Sequence, residues 1–207
     1  MTLLRATAVA AILAAGGAHA QTTIIGFDPL EQPGILGSVF DSYSEGGYNF
    51  DSSFLGLLSS AHQSNFAYAG SAGLGATVLT TTTLSRNDGA AFSLSSISLA
   101  DFVSLPGPYD VTFVGNKVGG GTVTQTFSLD GSHNFSNYTF TGFNNLLSAT
   151  WQEGALHTFQ VDNVTASVSA VPEPATYGMM LGGLGLLAFL RRRKNAAART
   201  PPEPGAT

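Results

Sequence analysis

The 207-residue chain has no cysteine. That excludes disulfides, thiolate metal sites, cysteine nucleophiles and cysteine lipidation together. Charge is scarce as well, 10% of residues against a usual share of about a quarter. Coiled coils and charged disordered tails need far more, and neither carries the 10% aromatic share found here. Positive charge is nearly missing from the middle of the chain. Between Gln21 and Ala170, eleven Asp and Glu face only Arg86 and Lys117, a net charge of −9. A nucleic-acid surface needs clustered Lys and Arg to displace counterions from phosphates, so nucleic acid is excluded as a partner. Helical periodicity built from good helix formers is also missing from this stretch.

What is present is clearest at the two ends. Arg5 precedes an apolar run from Ala6 to Ala18, and Ala18-His19-Ala20 stands before Gln21. A charged start, a short apolar segment and small residues at −3 and −1 predict a secretory signal peptide over residues 1–20, cut after Ala20. At the other end, Val171-Pro172-Glu173-Pro174 leads into an uncharged stretch from Ala175 to Leu190, followed by Arg191-Arg192-Arg193-Lys194. These 16 residues would span about 24 Å as a helix, against a hydrocarbon core of about 30 Å. Snorkelling of the arginines or local thinning of the bilayer would close that gap, so a transmembrane helix is expected at about residues 175–190. The basic cluster would stay on the cytoplasmic side and leave the acidic body outside. The two prolines prevent a helix from starting earlier and hold an extended, accessible segment at the membrane surface.

Val171 to Lys194 resembles the PEP-CTERM sorting signal, with its three parts in order: Val-Pro-Glu-Pro, apolar helix, basic cluster. The resemblance implies recognition by an exosortase, a membrane enzyme that cuts near Pro172-Glu173-Pro174. It implies an exported protein anchored transiently in the membrane, then released to the cell surface or extracellular matrix, where biofilm exopolysaccharide is a candidate partner. The extension Asn195–Thr207, which the family pattern lacks, is expected to be a disordered tail.

Residues 21–170 are expected to form one all-β domain, an antiparallel β-sandwich. Short runs rich in β-branched and aromatic residues recur between Gly, Asn and Asp: Thr22–Phe27, Ala76–Thr83, Ala90–Phe102, Tyr109–Val114, Gly121–Leu129, Tyr138–Phe140, Leu146–Trp151 and Leu156–Val168. The plainest hairpin joins Asp110–Val114 to Thr122–Phe127 through a glycine-rich tip. Apolar alternation slips phase at Ser95-Ser96 and again at Asp162-Asn163. Either a β-bulge sits at each, or each strand is two shorter strands with a kink.

From Ala90 onward the body is similar to jelly-roll carbohydrate-binding modules, carried by Ala91–Leu99, Gln125-Thr126-Phe127, Leu147–Trp151 and Phe159–Val164. The resemblance implies a jelly-roll-like sandwich and a structural calcium ion, held by Asp28 and Glu31 after the first strand and Asp162 in the last. The alternative is that Asp162 accepts backbone hydrogen bonds at the bulge while Asp28 and Glu31 are solvated.

Catalytic signals are thin. No Gly-x-Ser-x-Gly elbow and no phosphate-binding glycine loop occur, and His62, His133 and His157 lack metal-ligand spacing. His157 is expected in the core, in phase with Phe159, and His133 in an exposed turn. Tyr43, Tyr48, Tyr68, Tyr109, Tyr138 and Trp151 offer material for a sugar-stacking platform, with Trp151 reading rather as core. The sequence therefore points to a structural or glycan-interacting surface protein that is not an enzyme and has no cofactor beyond that calcium. The alternative is a small secreted polysaccharide-active hydrolase built on paired carboxylates.

Overall fold

The computed structural model describes residues 21–31, 37–54, 56–60, 65–102, 107–168 and 174–197. The signal peptide over residues 1–20, the Val171-Pro172-Glu173 segment and residues 198–207 lie outside them. Residues 20–169 form one compact unit, and the C-terminal helix belongs to another.

Among the described residues the body has thirteen strands: β1 (Thr22–Ile25), β2 (Val39–Phe40), β3 (Ser42–Glu45), β4 (Tyr48–Ser52), β5 (Leu57–Ser60), β6 (Gly73–Ala76), β7 (Thr81–Arg86), β8 (Phe92–Asp101), β9 (Tyr109–Lys117), β10 (Thr122–Leu129), β11 (Ser136–Thr139), β12 (Leu146–Gln152) and β13 (Phe159–Val168). A turn of 3-10 helix spans Asp28–Leu30. All pairings are antiparallel and the hydrogen bonding is continuous, but the sheet has two halves. One runs β2-β5-β6-β13-β8-β11, with β1 also on β13; the other runs β3-β4-β7-β12-β9-β10. A single bridge, Leu146 to Phe92, joins them. Across the open side, the Gln125 amide donates to the Thr139 carbonyl (2.9 Å) and the Tyr138 hydroxyl donates to the Ser128 carbonyl (3.3 Å). The result is a nearly closed antiparallel sandwich around one core.

Phenylalanine dominates that core. Phe113 from β9 lies 5.7 Å from Phe127, 5.3 Å from Phe140 and 5.3 Å from Trp151, ring centre to ring centre. Phe27 packs on Phe50, and Tyr48 on Phe92. In β9, β10 and β12 inward apolar positions alternate with outward polar ones, as a sheet with one solvated face requires, whereas β6 and the adjoining stretches 97–101 of β8 and 159–162 of β13 are buried on both faces. Trp151 is buried in the core, as its strand phase indicates.

The hairpin holds the expected register and extends it, from Thr122 opposite Asn116 to Leu129 opposite Tyr109. Gly119, Gly120 and Gly121 at its tip have φ of 83°, 96° and 84°, a region other residues enter at a cost. Both phase slips are bulges. Asp162 pairs with Ser98, but Thr165 pairs with Ser96 and Ala166 with Leu94. One extra residue thus sits on β13 near Asn163 (φ 47°) and one on β8 at Ser95. The two insertions oppose each other and cancel, so both long strands keep their apolar side chains inward throughout.

The observed elements differ from the expected ones in places. The stretch Ala76–Thr83 is not one strand: β6 ends at Ala76 and β7 begins at Thr81, with a turn between closed by Thr80 N–H to Thr77 C=O. Strands β2 to β5 follow from no clear sequence alternation. The C-terminal helix, α1 (Pro174–Ala197), covers the apolar stretch expected at about residues 175–190 and continues through the basic cluster. Among the described residues, no helix is long and apolar enough to cross a membrane.

Candidate functional site

In the half-sheet β3-β4-β7-β12-β9-β10, Phe50, Leu84, Ala149, Trp151, Phe113 and Phe127 point into the core. Their neighbours therefore form the opposite face. The strand registers align these outward residues in rows. One row reads Ser42, Asp51, Thr83, Thr150, Val114, Thr124, and the next Ser44, Asn49, Ser85, Ser148, Asn116, Thr122. Rungs lie about 4.8 Å apart across strands and about 6.8 Å apart along them. Side chains of the face bond one another: Ser44 to Asn49 (2.7 Å), Asn49 to Asp51 (2.6 Å), Asn116 to Ser148 (2.9 Å) and Thr112 to Thr126 (2.9 Å). Hydroxyls and amides both donate and accept. Neither row holds a cation or an aromatic ring, and Asp51 is the single charge in the two.

The expected tyrosine platform is not assembled. Tyr48 is buried, and Tyr43 packs on Phe27 and Phe40 while its hydroxyl donates to Glu45 at 2.7 Å. Tyr109 stacks on His157 at 4.6 Å. Tyr138 packs against Phe127, and the Tyr68 hydroxyl donates to the Gly70 carbonyl. The exposed aromatic side chains among the described residues are Phe54 and Phe66.

Of the three carboxylates expected to hold calcium, Asp162 and Asp28 lie near enough to interact electrostatically, and Glu31 is exposed. The Asp162 carboxylate accepts from the Asn163 backbone N–H (2.6 Å), the Asn163 amide (2.8 Å) and the Ser71 hydroxyl (2.5 Å). Burial pushes its pKa up to about 6, with the charges of Asp28 and Glu45 adding to the shift. Asp28 and Glu31 are exposed. Glu45, not Glu31, turns toward this region, and its carboxylate accepts from the Phe27 N–H (3.2 Å). Among the described residues, no three His, Asp or Glu side chains form a metal-holding group.

A second polar cluster, which the sequence did not reveal, lies where β8 and β12 end and β9 and β13 begin. Glu153 is buried and accepts the Phe159 N–H (2.9 Å); burial drives its pKa well above the usual carboxylate value. Burial, with the neighbouring Asp101 carboxylate, raises Tyr109 far above an ordinary tyrosine. His157 lies just before β13 and is half-buried. His133 is also half-buried rather than exposed, with Nδ1 2.8 Å from the Asp101 carbonyl. These groups close strand ends.

In α1, Pro174 occupies the first position, where its missing N–H costs nothing. Leu181, Leu184, Leu186, Leu187 and Leu190 are all exposed, as are Arg191 and Arg192.

Residues 170–194 match the PEP-CTERM protein-sorting motif. No curated protein matches the chain in sequence. Among solved structures, the chain is similar to a family 29 carbohydrate-binding module from Piromyces equi, at 14% identity and a TM-score of 0.41, covering 72% of this chain and 91% of that one. It is also similar to two variants of a family 29 module. One is complexed with mannohexaose (12% identity, TM-score 0.39, 72% and 92% covered). The other is complexed with cellulohexaose (12%, 0.39, 72% and 91%).

Proposed function

We propose that this is an exported protein sorted by an exosortase, and that its body serves as a structural or glycan-interacting component of the cell envelope or extracellular matrix, without catalysis. The match of residues 170–194 to the sorting motif carries the first part. In this reading residues 1–20 are a signal peptide removed after Ala20. The segment around Pro172-Glu173-Pro174 is the processing site. The apolar part of α1 is a transient anchor, which Arg191, Arg192, Arg193 and Lys194 hold at the cytoplasmic side. The strand order supports a jelly-roll label: β1-β13-β8-β11 opposite β7-β12-β9-β10 is the order of two interlocked Greek keys.

The cation-free face of β3-β4-β7-β12-β9-β10 supports glycan contact. A face of hydroxyls and amides without cations suits an uncharged polyhydroxylated chain and offers nothing to phosphate or sulfate. Carboxyl groups support the absence of catalysis: Glu45, Glu153 and Asp162 each accept a backbone N–H. The experiment is retention on insoluble neutral polysaccharides, paired with a hydrolysis screen. Thr83→Arg together with Thr150→Arg should reduce retention at least tenfold, with no turnover from either protein. Unchanged retention would remove this face from the account, and turnover abolished by Glu153→Gln would favour the hydrolase.

A further inference from the structure

We propose that β10 is an assembly edge, pairing antiparallel with β10 of a second copy of this chain. Among the described residues β10 pairs with β9 alone. Its sequence, Thr-Val-Thr-Gln-Thr-Phe-Ser-Leu, contains no charge and no proline. Sheet edges are ordinarily blunted by lysine, proline, short length or a covering segment, because a bare edge templates a further strand. The opposite edge of the same half-sheet, β3, follows that rule: it has four residues and ends on Glu45, with Asp41 just before it. The eight-residue β10 has neither lysine, proline nor short length on its outward rungs. Residues 138–141 reach it through side-chain bonds alone, from Tyr138 to the Ser128 carbonyl and between Gln125 and both Thr139 and Thr141, which leaves Thr122, Thr124 and Thr126 as the open rungs.

The register shows which groups are on offer. The Lys117 N–H donates to the Gly121 carbonyl, so Gly121 and every second residue after it bond toward β9. Thr122, Thr124, Thr126 and Ser128 therefore aim their N–H and C=O groups away from it. The Ser128 carbonyl accepts the Tyr138 hydroxyl on that outer side, which fits the assignment. All four residues are exposed.

Self-complementarity selects the partner. Two such strands related by a two-fold axis place threonine against threonine, the same surface serving both copies. The outer hydroxyl face then runs unbroken from one copy into the next. Each body carries a net charge of −9 between Gln21 and Ala170, so copies repel at a distance while the edge itself is neutral. Salt should therefore strengthen the pairing. The contact is small and falls in the weak, concentration-dependent class.

The lack of native cysteine makes the test clean, since an introduced thiol is the sole thiol in the chain. Thr122→Cys, Thr124→Cys and Thr126→Cys are expressed singly in the full-length exported chain, with Ser44→Cys on β3 as the control. A disulfide-linked dimer is expected at one or more of the three β10 positions and not at Ser44. Adding a proline at another outward rung, for example Thr126→Pro to a cross-linking Thr124→Cys, should abolish it while sparing the bonds to β9. Sedimentation of the cysteine-free parent gives a second measurement that needs no variant; its mean mass should rise with concentration and with salt. A parent that stays monomeric throughout, or cross-linking equal at Ser44, overturns the proposal.

Discussion

Burial holds the Asp162 carboxyl near pH 6 in the folded chain, against about 4 for an unfolded aspartate. The folded state thus binds its proton more tightly, and stability from this group falls as pH rises from about 4 to about 6. Thermal melts across that range should show the decline, and Asp162→Asn should flatten it. A parent whose melting temperature rises through the same window contradicts the burial argument. Burial raises Glu153 in the same direction, so a residual decline is expected in the variant. Because the Asp162 oxygens already have donors, calcium and chelator should give equal melting temperatures at equal ionic strength. In the core, Phe113→Ala should cost about 3–5 kcal/mol, read from denaturant midpoints, because the ring meets Phe127, Phe140 and Trp151 at once.

Strands β8 and β13 show what an element can reveal before its structure is known. A period of two changes parity only if a residue is inserted, so the slips at Ser95-Ser96 and Asp162-Asn163 were visible in the pattern. The sequence could not show that the bulges oppose each other, since pairing is a tertiary fact. Deleting Ser95 or Asn163 alone should therefore destabilise the body more than deleting both, because the double deletion restores one register. A double deletion that costs the sum of the two would show that the bulges are independent. Strand β6 was illegible for a different reason. Its Gly-Leu-Gly-Ala sequence has no β-branched residue, and its glycines are fixed by close approach. A Cβ on Gly73 would come within 2.8 Å of the Gln160 side chain, and one on Gly75 equally near the Phe102 ring. The continuous Thr77-Val78-Leu79-Thr80 run looked like strand because propensity does not register that Leu79 turns through φ 63°.

At the scale of the whole molecule, the C-terminal sorting motif was more legible than the body. A sorting motif is read from chain order, charge and length, which need no folding to recognise. The hydroxyl-rich, cation-free face was hidden, because its rows arise from six strands brought into register, and an isolated Thr-x-Thr says only that one side of a strand is wet. The central claim is that the C-terminal segment is an exosortase address. Its most direct test is to follow a tag at each end of the full-length chain in a host with and without the exosortase. The account predicts loss of the C-terminal tag and release of the body only when the enzyme is present, and impaired processing when Arg191, Arg192, Arg193 and Lys194 are replaced by neutral residues. A chain of the same mass in both hosts, or a neutralised variant matured like the parent, would contradict it.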